Sequence, residues 1–126
     1  MHIHGYVEYI WHEDILHLNV TGPFNLKGIN EAFAQLRSTV KAAQHTQWYR
    51  IEILDSDSLG CLEVMKIIKE SYLWSLTAGC KYIAVVCSNS VQMNLLEDFI
   101  NRTELPIRGF FSLSDAQLAI EDYRKQ

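Results

Sequence analysis

Hydrophobic residues recur in two rhythms along this chain: alternately in short stretches, and every third or fourth residue in longer ones. Leu16, Leu18 and Val20 alternate with His17 and Asn19, which predicts a strand over residues 15–22 with one dry and one wetter side. The stretch Tyr6–Trp11 precedes it across the polar turn His12-Glu13-Asp14, close enough to pair as a hairpin. After Gly22-Pro23, the residues Leu26, Ile29, Phe33, Leu36 and Val40 form one apolar stripe on a helix over Asn25–Ala43, opposite Lys27, Asn30, Gln35 and Lys41.

Alternation returns at Trp48–Leu54, where Tyr49, Ile51 and Ile53 point one way and Arg50 and Glu52 the other. A sheet covered on both faces rarely places charge in mid-strand, which predicts a wet face at Arg50 and Glu52. A second helix runs from Gly60 or Cys61 to Thr77 and stops at Ala78-Gly79. Tyr82–Cys87 is apolar on both faces and therefore an interior strand. A third helix spans Ser90–Arg102, limited by Pro106; a short strand follows over Ile107–Ser112. The last helix starts at Ser114, with Gln117 completing a capping box and Ala116, Ile120 and Tyr123 facing inward. The order ββαβαβαβα links the third, fourth and fifth strands by helices, so they run parallel.

The second helix is more apolar than a surface helix needs to be. Cys61, Val64, Met65, Ile68, Tyr72 and Leu76 form its core stripe, and Glu63, Lys66 and Glu70 mark its wet face. Leu62 and Leu73 lie on one border and are expected to pack within the chain. Ile67 and Trp74 lie on the other, where they are candidates to meet a partner or a second copy of the chain.

With 126 residues, the chain is expected to form a single domain. Its formal charge of -4, with scattered lysines and arginines, argues against a nucleic-acid surface. The longest purely apolar run, Ile83–Cys87, is far below the ~20 residues of a membrane span, so a soluble, cytoplasmic protein is expected. Cys61, Cys80 and Cys87 are odd in number and fit buried thiols in a reducing compartment. His2 and His4 could chelate a metal loosely, but no acid or cysteine cluster completes a ligand set, and no metal or cofactor is expected.

The candidate functional element is the turn Asp55-Ser56-Asp57-Ser58-Leu59-Gly60, between the third strand and the second helix. Small hydroxyls and backbone N–H groups at the positive end of a helix favour an anion or an acidic partner. The simplest role for Ser58 or Ser56 is to cap that helix. Nothing adds up to an active site. The histidines lie near the first hairpin and at His45, away from any serine or cysteine that could act as a nucleophile. Neither a G-x-S-x-G elbow nor a nucleotide loop is present, and the acidic pair and lysine that would make Asp55 a receiver-domain phospho-acceptor are missing.

This order, with its starting hairpin and serine-bearing turn, resembles the STAS fold of the bacterial anti-sigma factor antagonists, the SpoIIAA-like proteins, over almost the whole chain. Val20-Thr21-Gly22-Pro23-Phe24-Asn25 and Lys81-Tyr82-Ile83-Ala84-Val85-Val86 are similar to the SpoIIAA-like family of STAS/SEC14 domains. The resemblance implies a mixed sheet with helices mainly on one face and a β-α superhelix. It makes Asp57-Ser58-Leu59-Gly60 similar to the antagonists' phosphorylation motif, with Ser58 and Ser56 as phospho-acceptor candidates. Here Asp55 follows Leu54 directly, whereas antagonists keep several residues between strand and motif, so the serine is expected at a different depth. The implied function is a non-enzymatic protein-interaction or regulatory module. Its partner contacts would be Asp55, Asp57, Leu59, Ile67 and Trp74, and it would dimerise through the second helix. The SEC14-like side of the resemblance implies an alternative, a small carrier or sensor of an apolar, lipid-like ligand.

Overall fold

The computed structural model describes residues 3–58 and 61–126. The chain runs β1 (Tyr6–His12), β2 (Ile15–Thr21), α1 (Leu26–Ala43), β3 (Trp48–Leu54), α2 (Leu62–Thr77), β4 (Cys80–Val86), α3 (Ser90–Ile100), β5 (Ile107–Phe110) and α4 (Leu113–Arg124). The five strands form one sheet in the order β1-β2-β3-β4-β5. The β1/β2 pair is antiparallel, and every later neighbour is parallel. This is the mixed α/β architecture that the periodicity and the resemblance imply.

Strand alternation divides the core between two faces. Leu16, Leu18 and Val20 of β2 pack with Ile83 and Val85 of β4 and Ile107 of β5 beneath α1, α2 and α3. The opposite face carries Tyr49, Ile51, Ala84 and Val86 under Ala116 and Ile120 of α4. Side chains as fully buried as Ile51, Ile83 and Ile120 each contribute roughly 1.5–3 kcal/mol of hydrophobic stabilisation. Three helices on one face and one on the other leave β1 and the adjoining part of β2 uncovered on the α4 side, where Tyr6 and Ile10 are exposed.

Local chemistry fixes the helix ends. Asn25 caps α1 by accepting from Gly28 N–H at 2.8 Å, and Asn89 caps α3 by accepting from Gln92 N–H. Gly79 has φ +100°, the left-handed geometry that ends α2 at no steric cost to glycine. The capping box expected at Ser114 and Gln117 does not form. Ser112, two residues earlier, accepts from Asp115 N–H at 3.1 Å, so α4 begins at Leu113.

The wet face predicted at Arg50 and Glu52 is also corrected. Arg50 is 2% exposed and Glu52 6%, both enclosed between β3 and α2. Their charges oppose each other across 2.9 Å, and α2 supplies hydroxyls beneath them, so burial is offset by pairing and by hydrogen bonds to both Arg50 Nη atoms.

Candidate functional site

Arg50 and Glu52 sit on the same side of β3, because alternate strand residues share a face. Glu52 Oε1 accepts from Arg50 Nη2, and Glu52 Oε2 accepts from Tyr72 Oη at 2.6 Å. Arg50 Nη1 donates to Ser75 Oγ at 3.0 Å and to Ser71 O at 3.2 Å, and its guanidinium lies 4.8 Å from the centre of the Tyr72 ring. Burial opposes the arginine's charge, but the adjacent Glu52 outweighs it and raises the Arg50 pKa above its ordinary value. Burial and the same carboxylate push the Tyr72 hydroxyl well above the usual tyrosine range. Arg50 Nε has no hydrogen-bond partner among the described residues.

This polar cluster forms the floor of an apolar cavity of about 70 Å³. Val7 and Tyr9 of β1, Phe33 and Leu36 of α1, Ile67 and Ile68 of α2, and Leu96 and Phe99 of α3 are among its walls. Tyr9 Oη ties the β1 wall to α1 by donating to Ala32 O at 2.6 Å. Lys69, whose ammonium lies 5.5 Å from the Phe99 ring centre, and the exposed Leu95 are on the solvent side of the lining.

The turn after β3 is closed by its own side chains. Asp55 Oδ1 accepts from Gly22 N–H at 3.2 Å, from Asp57 N–H at 3.1 Å and from the Ser58 hydroxyl. Burial works against ionisation here, but these hydrogen bonds prevail and hold the Asp55 carboxyl below its ordinary pKa. Ser58 Oγ also accepts from Asp55 N–H and lies 3.1 Å from Val20 O. The β2–α1 loop presses closely on this turn, and a side chain at Gly22 would collide with the backbone of Asp57 and Ser58. Gln92 of α3 completes the fastening, donating to Asp55 O at 2.7 Å and accepting from Ser88 N–H at 2.7 Å.

The expected role of Ser58 or Ser56 as the cap of α2 is therefore corrected. The helix starts at Leu62, and its N-cap is Cys61, which makes no side-chain capping bond. Ser58 is 3% exposed, its hydroxyl committed to Asp55, whereas Ser56 and Asp57 are exposed. Leu59 and Gly60 lie outside the described residues, as does His2 of the His2-x-His4 pair.

The border of α2 expected to pack within the chain is the more exposed of the two. Trp74 is half-buried with its ring edge-on to Phe33 of α1 at 6.2 Å, and Ile67 lines the cavity. Leu62 is 85% exposed and Leu73 45%. Cys61, assigned to the core stripe, is exposed as well, while Cys80 and Cys87 are buried and their thiol pKa values are pushed up by desolvation to about 12 and about 11. The cavity floor was missed because charged residues in mid-strand suggest solvent. The available signal was the serine spacing in Ser71 and Ser75, which places two hydroxyls on the sheet-facing side of α2.

No family model matches the sequence, and no curated protein matches it. Solved structures do. One is an uncharacterized protein of the DUF3478 family with a SpoIIAA-like fold from Shewanella loihica PV-4, with TM-score 0.67 and 12% identity over 93% of this chain and 94% of that one. Another is an anti-sigma factor antagonist from Mycobacterium paratuberculosis, with TM-score 0.63 and 14% identity over 93% of this chain and 94% of that one. At these identities the likeness is one of architecture, and the chain has the SpoIIAA-like fold.

Proposed function

We propose that this chain is a non-enzymatic, STAS-like regulatory module that senses or carries a small apolar molecule held beneath α2. The cavity is the observation that carries this reading: its walls are apolar and come from both hairpin strands and three helices, and its floor is a paired, neutral Arg50–Glu52 cluster. A ligand with a short apolar end, a few carbon atoms in size, would make dispersion contacts with these walls. The hydroxyls at the site are spent on Asp55 and on helix carbonyls, which favours binding over covalent chemistry.

Adding short-chain acids, small alcohols and simple hydrocarbons to pure protein tests the reading through its melting temperature and tryptophan emission. Trp74 packs on Phe33, a cavity wall, and should report occupancy. A ligand at a hundred times its Kd stabilises the fold by about 2.7 kcal/mol. Ala32→Leu, which fills part of the space, should abolish the response and leave the fold intact. A flat melting profile and unchanged emission across the whole panel would remove the proposal.

A second reading, regulation through a protein partner, draws on the anti-sigma factor antagonist among the structural neighbours and on the exposed Leu62 and Leu73 of α2, which follows the Asp55, Ser56 and Asp57 turn. Of the two serines, Ser56 is the one that offers its hydroxyl to a kinase, because Ser58 would first have to leave its bonds to Asp55. Mass spectrometry of protein from its native host, with Ser56 unmodified under every growth condition, would eliminate the phosphorylation part of this reading.

A further inference from the structure

The sheet ends in two unlike edges. β5 contributes four residues, a short edge, whereas β1 contributes seven in an unbroken antiparallel register with β2. Long edges are commonly blunted by charged side chains, proline or a bulge; β1 has one charged residue, Glu8, and no lysine, proline or bulge.

The ladder identifies which β1 groups face outward. Tyr49 N–H donates to Asp14 O and Asp55 N–H to Val20 O, so by the two-residue period the carbonyls of Leu16 and Leu18 also turn toward β3. The intervening Ile15, His17, Asn19 and Thr21 bond to their partners His12, Ile10, Glu8 and Tyr6 on β1. The N–H and C=O groups of Val7, Tyr9 and Trp11 therefore point away from the sheet, and no hydrogen bond reaches them from the described residues.

We propose that β1 is a self-association edge, where a second copy of this chain pairs antiparallel about a two-fold axis through Ile10, joining two sheets into one. Only registers that set Val7, Tyr9 and Trp11 against one another use the outward groups, and side-chain chemistry chooses among these. Centred on Glu8, two carboxylates would face each other directly; centred on Trp11, Glu8 would face Asp14; centred on Tyr9, Glu8 would face Ile10. Centred on Ile10, Glu8 of each copy faces His12 of the other, Tyr9 faces Trp11, and Ile10 meets Ile10. Ile10 lies on the uncovered face, 38% exposed. The Ile10 and Glu8–His12 pairs fall at non-hydrogen-bonded positions, where opposing side chains are closest. Glu8 already accepts from Asn19 Nδ2 at 3.2 Å, and the His12 ring stands edge-on to His17 at 4.5 Å, so both are held on that face.

Light scattering coupled to size-exclusion chromatography should give twice the 14.6 kDa chain mass for the wild type and the single-chain mass for Ile10→Lys, with the same circular dichroism. Glu8→Lys should also be monomeric, and combining it with His12→Glu should restore the dimer by setting a carboxylate against the introduced ammonium. In a Cys61→Ser background, Ile10→Cys should form a covalent dimer on mild oxidation, because Cα atoms at a non-hydrogen-bonded pair are ~4.5 Å apart. Glu8→Cys should not crosslink to itself, because in this register the two copies of position 8 are four residues out of line, about 13 Å. A wild type of single-chain mass at high concentration, with no Ile10→Cys crosslink, overturns the proposal. So does a dimer that survives Ile10→Lys.

Discussion

Replacing Arg50 by methionine tests whether the cavity floor is held by charge pairing. The substitution keeps the length of the aliphatic stem and removes the donors to Glu52, Ser71 and Ser75, leaving a carboxylate 6% exposed with Tyr72 Oη as its remaining side-chain partner. Breaking a buried pair in this way costs about 3–5 kcal/mol. An unfolding entropy near 2.1 cal/mol/K per residue gives this chain a loss of about 4 °C per kcal/mol, so the melting temperature should fall by about 12–20 °C. The triple variant Arg50→Met, Glu52→Leu, Tyr72→Phe removes both charges and the hydroxyl that serves them. Ser71 and Ser75 still donate to Ile68 O and Ser71 O. It should recover to within about 1 kcal/mol of the wild type or exceed it, since a well-packed apolar substitute for a buried pair is often neutral or stabilising. Urea unfolding of wild type, single and triple variants at neutral pH, with matched m-values, gives these differences directly. An Arg50→Met protein within 1 kcal/mol of wild type, or a triple variant weaker than the single, would refute the reasoning.

Ser58→Ala should cost about 1–2 kcal/mol in the same assay, because it removes a buried hydroxyl that bonds both Asp55 Oδ1 and Asp55 N–H, whereas Ser56→Ala, at an exposed position, should be nearly silent. Asn25→Ala should lose about 1 kcal/mol, since Asn25 Oδ1 accepts from both Gly28 N–H and His4 N–H. The hydrogen bond from Arg124 holds the Asp14 carboxyl below its ordinary pKa. This depressed carboxyl stabilises the fold above the unfolded-state value of about 3.9, and the contribution is lost as pH falls through the lower folded-state value. Urea midpoints measured from neutral pH into acid should therefore decline less steeply for Arg124→Gln than for the wild type, and identical acid slopes would show that the pair contributes nothing.

Much of the architecture could be read from local pattern. The alternation of Leu16, Leu18 and Val20 and the helical spacing of Ile29, Leu36 and Val40 specify their elements, because strand and helix periods differ enough to be told apart within a few turns. Gly79 marked the end of α2 for an equally local reason, its tolerance of a left-handed φ, whereas the capping role of Asn25 at α1 emerged only from the structure. The candidate site was less legible. Asp55 and Ser58 were recognisable as a turn, but the sequence did not show that their side chains satisfy each other.

Tertiary structure decided the rest, because burial depends on what the fold brings across a gap. Arg50 and Glu52 carry the polar signature of a solvent face, yet α2 brings Ser71, Tyr72 and Ser75 over them and makes that face an interior. Ile67 and Trp74 became wall residues, and Leu62 and Leu73 surface residues, once α1 settled along one side of α2 and not the other. The cavity belongs to no segment: it is the volume bounded where β1, β2, α1, α2 and α3 meet, and only their relative placement creates it. Sequence by itself determined the order and type of the elements, since these follow from the preferences of neighbouring residues. The fold determined which polar groups are enclosed, which edge stays open and where space remains, since each of these is a relation between residues far apart in the chain.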